Sequence, residues 1–162
     1  MKRLHIIGRH NAGKTRLLIR LVPALKARGL RVGILKHAPG LKDFEGDTDS
    51  AHFAEIGTDF LVLAGNNAGA IYLPEMNSIA EWEQVLKHLM PKVDLLLVEG
   101  YKSFPGAKIE VWHDGLPESP ISGAQEPPLF FVSHTAILPG VPTFAPDDVD
   151  SIADNICRWW QS

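Results

Sequence analysis

The octet GRHNAGKT, residues 8–15, stands between the apolar run LHII and the stretch RLLIRLV. Gly8, Gly13, Lys14 and Thr15 meet the spacing G-x-x-x-x-G-K-[ST] of a phosphate-binding loop. At average residue frequencies, a chance match in a chain of this length is on the order of one in a few hundred. The chemistry needs each residue type. Glycines let the backbone curl until successive N–H groups, those of Asn11, Ala12 and Gly13 among them, point at phosphate oxygens. A helix starting behind the loop adds unsatisfied donors and a partial positive charge. Lys14 would reach the β- and γ-phosphates, and Thr15 would offer its hydroxyl to Mg²⁺.

Mg²⁺ takes further oxygen ligands, preferably carboxylates at the carboxyl ends of neighbouring strands. Glu99 closes the run DLLLVEG at such an end, whereas Asp94 opens it and belongs at the far edge. The segment DFEGDTDS carries Asp43, Glu45, Asp47 and Asp49. It reads either as a solvated loop, with Asp49 capping the next helix, or as the source of a second metal or water-orienting acid. Asp49 is then the first choice. Lys36 and His37 end the second strand on the same edge, where they can meet an anion or form an ordinary rim.

The elements that must position these groups follow from pattern. RLHII (3–7) is rich in branched side chains and reads as a strand. Residues 14–28 have helical rhythm, with Leu17, Leu18, Leu21 and Leu25 on one face, a kink expected at Pro23 and a stop at Gly29. LRVGILK (30–36) is the next strand, which completes a βαβ unit and implies a parallel sheet. DSAHFAEIG (49–57) reads as a short helix. FLVLAG and GAIYLP flank NNAG as a hairpin. Ser78 and Glu81 form a capping box ahead of a helix to residue 90. VDLLLVEG (93–100) does not alternate, as expected of a strand covered on both faces. KIEVWH and LFFVSH read as strands and VDSIADNICRWW as a closing helix with Ile152, Ile156 and Trp159 or Trp160 inward. The loop at 114–128, with four prolines and neither lysine nor arginine, is long enough to be a lid or a partner contact.

Composition bounds the rest. The 162 residues suit one domain, residues 1–162, of an α/β class: a P-loop NTPase with a mostly parallel central sheet flanked by helices and an antiparallel hairpin extension. A net charge of −3 argues against binding a phosphate backbone, so no nucleic-acid partner is expected. No apolar run approaches a membrane span, and the run behind MKR breaks at Gly8, too early for a signal segment. The single cysteine, Cys157, excludes an internal disulfide and fits a reducing cytoplasm, with its thiol as a small apolar side chain.

Taken together, GRHNAGKT, LVPALKARGLRVGILKH, GDTDSAHFAEIGTD, DLLLVEGYK, KIEVW and IADNI resemble, in order and over almost the whole chain, the molybdopterin-guanine dinucleotide biosynthesis protein B (MobB) family. The resemblance implies a P-loop fold of the class that includes dethiobiotin synthetase, and a homodimer that binds GTP with Mg²⁺ and hydrolyses it weakly. It also implies assistance to the molybdenum cofactor guanylyltransferase, which joins GTP to molybdopterin. By motif, Gly8, Gly13, Lys14 and Thr15 carry over as phosphate and metal residues, Asp49 and Glu99 as metal or water-positioning acids, and Lys36 with His37 as an anion site. Three departures stand out. HAPGLKDF replaces a stretch often rich in histidine. Arg16 stands where many phosphate loops have a second Thr. His134 stands where relatives commonly have an acid able to accept from guanine's N1 and N2 donors. An ATP-dependent small-molecule kinase or a dethiobiotin-synthetase-like ligase is the competing reading, weakened by the lack of basic residues in the 114–128 loop.

Overall fold

The computed structural model describes residues 1–36, 53, 56, 59–66, 68–73, 76, 78–89 and 92–162. The chain divides into two compact units, Met1–His37 with Met90–Ser162, and Ala38–Leu89. In the first unit, β1 (Lys2–Ile7), α1 (Lys14–Ala27) and β2 (Val32–Lys36) form the expected βαβ unit. Strands β5 (Leu95–Glu99), β6 (Lys108–Val111), β7 (Phe130–Val132) and β8 (Thr143–Phe144) complete a six-stranded sheet, and α3 (Val149–Gln161) closes the chain. The sheet order is β2-β5-β1-β6-β7-β8, and every pairing in it is parallel. β8 is the one strand the pattern reading lacks, because two residues hemmed by prolines leave no alternation to detect.

Strand β1 lies at the centre, and the chain leaves it toward β2 on one side while β6 and β7 extend the sheet on the other. That reversal creates a crevice beyond the carboxyl ends of β1, β5 and β6, where α/β sheets bind ligands. All five residues of β5 are buried, as its unbroken apolar run predicts. Leu4 and Ile6 of β1, Leu95 and Leu97 of β5, and Ile109 and Val111 of β6 share one core cluster with Leu17, Leu18, Leu21 and Leu25 of α1 and with Ile152 and Ile156 of α3. The period-2 choice on each strand shows which face of the sheet the two helices cover. Burying each leucine of α1 contributes roughly 1.5–3 kcal/mol. The helix runs through Pro23 as one element, and both Pro23 and Ile19 are exposed, so water can reach the carbonyl that the proline leaves without a donor. Gly29, at φ 87°, ends the helix in the left-handed conformation.

In the second unit, β3 (Leu61–Ala64) pairs antiparallel with β4 (Gly69–Tyr72), and the Gly65 N–H donates to the Ala68 carbonyl across the turn at 2.9 Å. Helix α2 (Ile79–Leu89) begins with the expected box: Ser78 N–H donates to Glu81 Oε2 at 2.9 Å and Glu81 N–H to Ser78 Oγ at 3.3 Å. The helix read at 49–57 lies largely outside the described residues. No helix among the described residues is long and apolar enough to cross a membrane.

Asp94 is structural, at the edge opposite the crevice. Its carboxylate accepts from the Arg31 N–H at 2.9 Å and from both arms of the Arg31 guanidinium at 3.0 Å, and its carbonyl accepts from the Trp160 indole at 3.3 Å. The side-chain and backbone hydrogen bonds from Arg31 hold this carboxyl down to about 2. A carboxylate with a depressed pKa stabilises the fold above its unfolded value of about 4, and the gain is lost as pH falls toward the folded value. We therefore expect D94N to lower the urea midpoint at pH 6, with the gap from wild type narrowing below about pH 4 and closing near pH 2.

Candidate nucleotide site

The octet leaves β1 through Gly8 and enters α1 at Lys14. Gly8 has φ 149°, and a Cβ there would collide with the Val111 carbonyl oxygen of β6. The loop therefore turns hard against the neighbouring strand, which only glycine permits. Asn11 (φ 58°) and Gly13 (φ 93°) complete the curl with positive φ. Helix α1 begins with no capping side chain and no acid in its first turn. Its open N–H groups are thus free to take an anion. Lys14 folds back over the loop, donating to the Arg9 carbonyl at 2.7 Å and the Gly8 carbonyl at 3.2 Å. Both bonds span the cradle where phosphate oxygens are expected to lie.

Glu99 ends β5 with Ile6 of β1 opposite it on one side and Lys36 of β2 on the other. Its carboxylate is buried, accepts from the Thr15 hydroxyl at 3.4 Å and lies 3.8 Å from the Lys36 ammonium. A hydroxyl and a buried carboxylate facing each other at the helix start suit Mg²⁺, which needs only one or two protein oxygens when water and phosphate supply the others. Beyond β5 the backbone takes positive φ twice, at Gly100 (101°) and Tyr101 (48°). This turn brings Lys102 close enough to act on Lys14. Burial pushes the Lys14 amine below the usual lysine range; Glu99 opposes that, and Lys102 and Lys36 add to it. Lys14 and Lys36 thus share one carboxylate, and Lys102 adds a third positive charge near Lys14, an excess suited to a polyanion.

Beside the loop opens a cavity of about 380 Å³ lined by Asn11, Gly13 and Arg16 at one end and by Trp112, His134 and Asp147 further out. The Arg20 guanidinium donates to the Pro146 and Asp147 carbonyls at 3.2 and 3.1 Å, which fixes the turn carrying Asp147.

The long loop at 114–128 is tied down at the same place. Arg9 donates to the Ser119 carbonyl at 3.1 Å, and the Trp112 indole to the Glu118 carbonyl at 3.1 Å. Glu110, fully buried in β6, accepts from the Ile121 and Ser122 N–H groups at 2.6 and 2.7 Å. Charge-assisted bonds of this kind contribute about 1.5–3 kcal/mol each, so the loop is a strap anchored beside the phosphate cradle.

Of the residues read from the sequence, Gly8, Asn11, Ala12, Gly13, Lys14, Thr15, Arg16, Lys36 and Glu99 lie together at the carboxyl edge of the sheet. His37 and Asp49 lie outside the described residues, as do Asp43, Glu45 and Asp47. Cys157 packs partly against the core, and burial raises its thiol pKa, which fits an inert side chain. The sequence reading passed over Lys102, Glu110 and Asp147. A charge inside the strand KIEVWH was the available signal for Glu110, since a buried carboxylate must find donors. Asp147 had no such signal, because it belongs to no pattern.

The family model described as molybdopterin guanine dinucleotide synthesis protein B matches residues 3–133. The molybdopterin-guanine dinucleotide biosynthesis adapter protein of Escherichia coli (strain K12) is 31% identical over 153 residues, covering 92% of this chain and 87% of its own. The protein of the same name from Haemophilus influenzae is 37% identical over 110 residues, 65% of this chain and 60% of its own. Among solved structures, a molybdopterin-guanine biosynthesis protein B superposes with TM-score 0.72 at 23% identity over 99% of this chain and 100% of its own. Bacillus subtilis MobB superposes with TM-score 0.69 at 20% identity over 96% and 97%. These two structures share the P-loop fold.

E110Q replaces one of the two buried acceptors with a donor that faces an N–H group. We expect it to lose about 1–3 kcal/mol of stability and to open the 114–128 strap to thermolysin. Cleavage as slow as in wild type would show that Glu110 does not hold the strap.

Proposed function

Since the chain belongs to the molybdopterin guanine dinucleotide synthesis protein B family, whose members serve as adapters in molybdenum cofactor biosynthesis, we propose that it works by holding GTP with Mg²⁺ on the loop of residues 8–15. The observation that carries this reading is the meeting of an uncapped helix start, Lys14 and the Thr15–Glu99 pair at 3.4 Å in one crevice. In this reading the N–H groups of the loop and of the first turn of α1 donate to the phosphates. Lys14 exchanges its two carbonyl acceptors for β- and γ-phosphate oxygens, which also favours the charge that burial disfavours. Thr15 and Glu99 hold the Mg²⁺, with Asp49 as a candidate further acid. The ion supplies neutralisation of charge on the phosphates. Lys36, His37 and Lys102 extend the positive rim, and Arg16 approaches the α-phosphate.

Hydrolysis in such a site is slow. Glu99 or Asp49 orients water and Lys14 balances developing charge, but no arginine is committed as a finger, since Arg9 is engaged by Ser119. The nucleotide then acts as a presented ligand more than as a fuel. The proposed partner is the molybdenum cofactor guanylyltransferase, met by a homodimer of this chain in the cytoplasm. The strap at 114–128 carries no lysine or arginine, so it lacks the cationic groups with which a kinase lid clamps phosphates.

Titration calorimetry of the purified chain with GTP and with ATP, each with Mg²⁺, tests the reading. GTP is expected to bind more tightly. K14A removes charged hydrogen bonds to two phosphates and should weaken GTP·Mg²⁺ binding by about 3 kcal/mol, on the order of a hundredfold. Unchanged affinity in K14A would remove the site assignment, and an ATP preference would return the chain to the kinase or ligase alternative.

A further inference from the structure

The cavity of about 380 Å³ is lined by Asn11, Gly13 and Arg16 together with Trp112, His134 and Asp147, so phosphates held on the loop place the rest of a nucleotide in it. The volume falls in the range of small-ligand sites. Asp147 is the only acidic residue lining the cavity among the described residues. Its neighbours are otherwise engaged: Asp148 caps α3 by accepting from the Ser151 N–H at 3.2 Å, and Asp114 accepts from the Thr135 hydroxyl at 2.8 Å. The Asp147 carbonyl is held by Arg20 and by the Val149 N–H at 3.0 Å, while its carboxylate has no hydrogen-bond partner among the described residues.

Resting on the reading of the loop as a GTP site, we propose that Asp147 is the residue that selects guanine. A carboxylate accepts from guanine's N1–H and N2–H₂ together, and such paired, charge-assisted bonds are directional. Adenine presents an acceptor at N1 and nothing at C2, so it cannot make the pair. His134, after β7, is thereby relieved of a role that a neutral imidazole fills poorly. The acceptor comes from the turn after β8 instead, and Arg20 of α1 is the positioning residue that holds that turn against the phosphate loop.

The test is calorimetric titration of the full chain with the Mg²⁺ complexes of GTP, inosine triphosphate, xanthosine triphosphate and ATP, with inorganic tripolyphosphate as a probe of the loop alone. Wild type should prefer GTP over xanthosine triphosphate and ATP by at least about tenfold, and bind inosine triphosphate more weakly than GTP because the N2 donor is missing. D147N should reverse the order of GTP and xanthosine triphosphate, since an amide can donate to the xanthine O2, while tripolyphosphate binding stays unchanged and reports an intact fold. A GTP-to-xanthosine ratio unaltered in D147N, or one reversed in H134A instead, would overturn this inference and leave the GTP site standing. Wild type that binds neither GTP nor ATP would overturn the nucleotide reading itself, and this inference with it.

Discussion

A chain can aim several consecutive N–H groups at one point only where its side chains do not obstruct the curl. Here that requirement falls on Gly8, whose backbone presses against the Val111 carbonyl of the adjacent strand. The contact locks the end of β1 to the end of β6 and sets the direction in which α1 departs. With α1 placed, Thr15 faces Glu99 and Lys14 spans the loop. The core packing of Leu17, Leu18, Leu21 and Leu25 keeps the helix start from drifting. Stability and site are therefore coupled through one glycine, because the same turn that opens the cradle also docks the helix whose leucines fill the core.

The electrostatics make the site selective for charge before any ligand arrives. One buried carboxylate faces Lys14 and Lys36 with Lys102 near Lys14, and burial, with the two neighbouring lysines adding to it, pushes the Lys14 amine below its usual range. Sites that hold unbalanced charge cost stability, and proteins keep them where a ligand restores the balance. At the opposite edge of the same sheet Asp94 is matched closely to Arg31 and serves only the fold. Asp94 directly precedes the five-residue strand β5 and Glu99 ends it, and their different roles follow from which end of a parallel sheet they occupy.

The 114–128 segment has no secondary structure of its own, yet buried Glu110 and the side chains of Arg9 and Trp112 hold it. A long proline-rich loop secured by three side chains is ordered by tertiary contact alone. Because Arg9 belongs to the loop of residues 8–15, the strap and that loop are tied by one side chain.

The sequence alone determined the parts governed by local physics. The glycine spacing of residues 8–15, the leucine face of α1, the Ser78–Glu81 box, the unbroken run of β5 and the hairpin are each written within a few residues, because backbone freedom, helical period and capping act over that range. Family resemblance added the adapter role. Only the tertiary structure decided what comes from distant segments. It brought Lys102 toward Lys14, turned Glu110 inward against Ile121 and Ser122, added the two-residue β8, and placed Asp147 on one cavity with Asn11, some 136 positions earlier in the chain. No local pattern encodes such meetings, since they depend on strand order in the sheet, and that order is set by how the whole apolar core closes.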